Sequence, residues 1–113
     1  SGALAQALAA HRAGRLDEAD RAYAAHLARA PGDPDALHMW GLLRHQQGRH
    51  DEAAGLVRDA LAAGAAGPLP HANLAAIELA RRQGTQELSE ARAHGLAQRR
   101  AERLRLLRRA SKG

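Results

Sequence analysis

Residues 41–53 read Gly-Leu-Leu-Arg-His-Gln-Gln-Gly-Arg-His-Asp-Glu-Ala, and 34 positions earlier residues 7–19 read Ala-Leu-Ala-Ala-His-Arg-Ala-Gly-Arg-Leu-Asp-Glu-Ala. Extended to 7–34 against 41–68, the alignment holds ten identities in 28 positions: Leu8/Leu42, His11/His45, Gly14/Gly48, Arg15/Arg49, Asp17/Asp51, Glu18/Glu52, Ala19/Ala53, Leu27/Leu61, Ala28/Ala62 and Pro34/Pro68. Chance would give about two, and a fixed period in this range marks a repeat architecture whose units bury their apolar faces against one another.

Within each unit the pattern is two helices and a tight turn. Ala53, Leu56, Val57, Ala60 and Leu61 recur at helical spacing, and Leu37, Trp40, Gly41 and Leu43 lie near one face of the preceding helix. Gly14 and Gly48 are suited to the left-handed residue that closes a helix, and the acid pairs Asp17-Glu18 and Asp51-Glu52 to the positive end of the next one. Pro31-Gly32 ends the first hairpin, and Asp33-Pro34 opens the second as cap and first-turn proline. Helices are expected near 3–13, 17–30, 34–47, 51–64, 70–83 and 86–109, with Gly84 ending the fifth. The units are about 3–30, about 34–64, and a degenerate third followed by a basic helix over about 69–110, forming one domain over 1–113.

Composition agrees with an all-α chain. Of 113 residues, 29 are alanine and 17 leucine, the two strong helix formers, while valine, isoleucine, tryptophan and tyrosine occur once each. A core built from these must be thin and closely packed. No apolar run reaches the roughly 20 residues that cross a bilayer, and Ser1-Gly2 opens neither a signal peptide nor a native start, so a soluble piece of a longer protein is expected. The absence of cysteine excludes disulfides, thiolate metal sites and cysteine nucleophiles. It leaves the compartment open, with the cytoplasm preferred. Sixteen arginines against one lysine read as the codon usage of a GC-rich bacterial genome.

Helix–turn–helix units of 34 residues with this pattern resemble the tetratricopeptide repeat family. The resemblance runs through residues 3–64, where Trp40-Gly41, Ala53 and Ala60 fill the family's large and small positions in the second unit and Ala7, Ala19 and Tyr23 do so in the first. It is weaker over 69–96, and His26 and Arg44 depart from it. It implies an α-solenoid of about three hairpins whose last helix, long and basic, caps the stack. It also implies a concave groove lined by first helices, where Leu8, His11, Arg12, His38, Leu42, His45, Gln46, Ala76 and Leu79 would meet a partner. The groove has none of the lysines with which some members grip acidic chaperone tails, so a chaperone clamp is disfavoured.

The sequence offers no catalytic constellation: no phosphate loop, no nucleophile elbow and no zinc-protease motif. The expectation is a non-enzymatic module, without cofactor or metal, that binds a protein or peptide. His38 and His45 stand two turns apart on one helix, about 10 Å, too far to share an ion unaided. Two alternatives stand beside this reading: a substrate-recruiting arm of a larger bacterial enzyme such as a glycosyltransferase, and self-association into a homodimer. Charge is uneven. Residues 1–91 hold 9 arginines and 11 carboxylates, whereas 92–113 hold eight cations against Glu102. The tail's Arg99, Arg100, Arg103, Arg105, Arg108 and Arg109 could meet phosphate or carboxylate, but without aromatics to stack on bases nucleic acid is disfavoured. A face of Leu96, Arg100, Leu104 and Leu107 was the basis for expecting the cap.

Overall fold

A computed structural model describes residues 2–112, and every described regular element in it is a helix. There are five: α1 (Ala3–Arg12), α2 (Leu16–Arg29), α3 (Pro34–Gln46), α4 (His50–Ala62) and α5 (Leu69–Lys112). The chain divides into two compact units, Ser1–Arg81 and Arg82–Gly113, and each is taken by itself.

The first unit is built on one turn used three times. After α1, Gly14 takes a φ of 78°, its N–H bonds His11 O at 3.1 Å, and Arg15 N–H reaches Ala10 O at 2.9 Å. After α3, 34 residues on, Gly48 has a φ of 79°, with bonds to His45 O at 3.0 Å and from Arg49 N–H to Arg44 O at 2.9 Å. Gly64 repeats the arrangement after α4, bonding Leu61 O at 3.0 Å, with Ala65 N–H to Ala60 O at 2.9 Å. These paired bonds satisfy carbonyls that a helix end leaves without partners, and a left-handed residue costs an L side chain about 1–2 kcal/mol, which glycine avoids. The next helix starts with its acids in the first turn, Asp17 and Glu18 in α2 and Asp51 and Glu52 in α4. Arg15–Glu18 at 2.7 Å and Arg49–Glu52 at 2.8 Å are the same i,i+3 pair in both units.

Packing follows the small residues. Ala7, Ala10, Ala19, Ala22, Tyr23 and Leu43 form one buried cluster where α1, α2 and α3 meet, with Leu4, Leu8, Leu16, Met39 and Trp40 against it. The first helix of the first unit is thus closely held despite lacking an aromatic. Leu27, Ala36, Leu37 and Ala60 make a second cluster, and Ala53, Ala54, Val57 and Ile77 a third, joined by Leu74 from the first turns of α5. A Cβ at Gly41 would lie 2.7 Å from Val57 Cγ2 and 3.2 Å from Ala53 O, so α3 and α4 touch where only glycine fits.

The two departures from the family pattern are occupied by charge. His26 Nε2 meets Asp33 Oδ2 at 2.6 Å, while Asp33 Oδ1 accepts from Asp35 N–H at 3.1 Å as the cap of α3. Arg44 lies over the Trp40 ring at 5.1 Å and ion-pairs with Asp20 at 3.1 Å and Glu52 at 3.2 Å, and Trp40 Nε1–H donates to Asp20 Oδ1 at 2.7 Å. Arg44 therefore ties α2, α3 and α4 together where an aromatic was expected to do so by area alone.

The helix runs through Gly84, correcting the expected break there. Glycine in a helix interior costs about 1 kcal/mol relative to alanine but ends a helix only where it turns left-handed and the chain beyond it packs back. Gly84 has no positive φ, and no proline follows it. The second unit, described from Arg82, is all helix, and nearly every residue of it is exposed. Leu96, Leu104 and Leu107 are 55%, 48% and 59% exposed, so the face expected to be covered as a cap stays largely in water.

Candidate functional site

Helices α1 and α3 share an open cleft of about 380 Å³ lined by Leu8, His11, Arg12, Met39, Leu42 and Gln46. Two repeat-equivalent pairs form its walls, Leu8 with Leu42 and Arg12 with Gln46, because each first helix turns the same face to this side. Leu8, Met39 and Leu42 make it apolar, and the exposed Arg12, which has no ion pair among the described residues, makes it electropositive. Met39 escaped the sequence reading, although its spacing to Leu42 and Gln46, i, i+3 and i+7, puts it on their face.

His11 is fixed from both sides. Its Nε2 lies 2.7 Å from Gln46 Oε1 and its Nδ1 2.9 Å from Tyr23 Oη, with the tyrosine ring edge-on to the imidazole. The amide oxygen can only accept, so Nε2 carries the hydrogen, and Nδ1 of a neutral imidazole accepts from the tyrosine hydroxyl. Burial pushes the Tyr23 hydroxyl up to about 12, against a smaller opposing pull from Arg12. The phenol stays a neutral donor. The network therefore presents an ordered polar edge beside a greasy floor.

The other expected groove residues do not join this lining. His38 accepts a hydrogen bond at Nε2 from Asn73 Nδ2 at 2.8 Å, and burial holds its imidazole below the ordinary value against a weaker pull from Asp35. Its proton uptake is disfavoured. His45 turns to His50, with Nδ1 to Nδ1 at 2.9 Å. The repeat explains why His11 and His45 differ: the position of Tyr23 is taken by Val57 in the second unit, which has no hydroxyl, and that of Leu16 by His50, which offers a ring nitrogen. Ala76 and Leu79 are exposed on α5 and outside the cleft lining. The six tail arginines are all exposed, and Arg105 pairs with Glu102 at 3.0 Å. Among the described residues no three histidine, cysteine or carboxylate side chains gather as metal ligands, and no helix is long and apolar enough to cross a membrane. No protein-family model matches the chain, and none of the curated proteins does.

Proposed function

We propose that residues 3–64 work as a tetratricopeptide-like interaction module whose cleft between α1 and α3 receives an extended or helical segment of a partner protein. The reading is supported above all by the duplicated lining: Leu8 and Leu42, one repeat apart, stand over a common floor, with Arg12 and the His11–Gln46 bond at its edge. Apolar anchors of this kind supply binding energy, and ordered polar groups set the register of what binds. A photocrosslinking residue placed at Gln46 should capture a partner that the same residue at Arg82 does not, and Leu8→Asp or Leu42→Asp should abolish capture while the helical spectrum is kept. Capture unchanged by both leucine variants would sink the assignment.

A second reading, self-association, rests on Leu88, Leu96, Leu104, Leu106 and Leu107, each 48% to 68% exposed. Exposed apolar side chains in this number favour association. Sedimentation velocity across a hundredfold range of concentration tests it. A single unchanging monomer peak excludes it.

A further inference from the structure

The turn between α3 and α4 holds a second arrangement that the cleft does not use. We infer that His45 and His50 form a two-imidazole site for a divalent first-row transition metal that favours 90° angles, nickel(II) or copper(II), with water completing the coordination.

The argument is geometric. The two Nδ1 atoms are 2.9 Å apart, with ring centroids at 4.8 Å and planes inclined by 57°. Imidazole nitrogens bind such ions at about 2.0–2.1 Å, so two of them at 90° on one ion stand about 2.9 Å apart, whereas a tetrahedral angle needs about 3.4 Å. The pair already has the spacing of adjacent corners of an octahedron or square. The hydrogen bond and the chelate differ only in where the lone pairs aim, so exchange between them asks for ring rotation rather than movement of the backbone.

The backbone is itself set. His45 lies in the last turn of α3 and His50 is the first residue of α4, and between them Gly48 and its two hydrogen bonds lock the reversal. Two ligands five residues apart are thus presented with little conformational entropy left to lose on binding. Burial, and after it the neighbouring His50, hold the His45 imidazole below its ordinary value, which keeps a lone pair available at neutral pH. The same turn also carries a buried Gln47 Oε1 without a hydrogen-bond partner, an oxygen lacking a donor or cation. Of the nearest cations, Arg44 is offset by Asp20 and Glu52, and Arg49 by Glu52. Imidazole ligands select nickel, copper and zinc over magnesium.

The test is titration of the full chain with nickel(II), followed by calorimetry and by the paramagnetic broadening of histidine ring signals in two-dimensional spectra. One site per chain is expected, with His45 and His50 broadening together before His11, His71 or His94, and no response to magnesium. His45→Ala and His50→Ala should each weaken binding at least about tenfold, since even outer-shell partners are worth 10–100-fold. Thermal melts and circular dichroism check that each variant folds. His50→Asn serves if His45→Ala does not. Simultaneous broadening of all seven histidines, or a nickel affinity that survives the loss of His50, would overturn the site.

Discussion

The two units of this chain are made of the same residues and differ in what those residues touch. In residues 2–81, alanine lets helices approach, and the few large side chains, Tyr23, Leu43, Val57 and Ile77, are wholly buried. In residues 82–111, leucine and alanine are as frequent as before, yet Leu88, Leu96, Leu104, Leu106 and Leu107 face water. Apolar content is therefore a poor guide to a core. What separates the units is the turn: the first has three glycine reversals that fold helix onto helix, and the second has none. A helix that does not reverse has only its own hydrogen bonds and propensity to hold it, and most helix stability in proteins comes from packing.

The comparison fails first if core and tail leucines prove equal. Leu43→Ala removes a side chain with no exposed surface and should cost about 2–5 kcal/mol in urea unfolding of the chain. Leu104→Ala, at a site 48% exposed, should stay within about 0.5 kcal/mol. A large loss at Leu104 would mean that something covers it in solution.

Two glycines carry the next contrast. Neither Gly48 nor Gly84 has an atom within 4 Å of an added Cβ, so packing is not at issue at either. Gly48→Ala must take a φ of 79° and should destabilise by about 1–2 kcal/mol, with the hairpin losing its reversal first in hydrogen exchange. Gly84→Ala should instead raise helicity at 222 nm and stabilise locally by about 0.5–1 kcal/mol. The same substitution thus has opposite signs in a turn and in a helix.

The repeat made much of the first unit legible. A 34-residue period, glycine at fixed offsets and acids after them located four helices to within about two residues, and with them five of the six residues that line the cleft. The misreadings have one cause. Periodicity says which positions are equivalent, whereas contacts depend on what stands opposite. His45 was assigned the surroundings of His11, but Val57 and His50 replace Tyr23 and Leu16, and the ring turns elsewhere. Gly84 was assigned the role of Gly48, yet no residue near it carries the turn's other parts. The tail's leucines matched a buried face by spacing alone, and spacing does not supply a neighbour. His26 and Arg44, read as departures, proved to be tied by ion pairs whose partners, Asp33 and Asp20, are 7 and 24 residues away.

Polar locks are the third difference, and pH probes one of them. The hydrogen bond from His26 holds the Asp33 carboxyl below its ordinary value, helped by the N–H groups of Ala36 and Asp35 and opposed by burial. Its folded-state value lies under the unfolded one, so its contribution is fully present above about pH 4 and is lost as pH falls through the depressed value. Asp33→Asn should therefore cost about 1 kcal/mol at pH 7. The gap between the two melting curves should close on acidification below about pH 4, because the protonated carboxyl then resembles the amide. A constant gap down to pH 2 would show that the carboxylate's charge does not matter to this joint.

The smallest effect separates charge in the first unit from charge in the second. Arg44 and Asp20 are 12% and 27% exposed, and Asp20 also accepts from Trp40, whereas Arg105 and Glu102 are 63% and 55% exposed and stand alone on one helix. A double-mutant cycle on the first pair should return a coupling of about 0.5–3 kcal/mol, since both members share a network. The cycle on the second should return at most about 0.5 kcal/mol, vanishing in 1 M salt as the Debye length shrinks to about 3 Å. If the tail pair couples as strongly as the inner one and resists salt, its arginines are not solvated as their exposure implies, and the division between the two regions would have to be redrawn on charge rather than on burial.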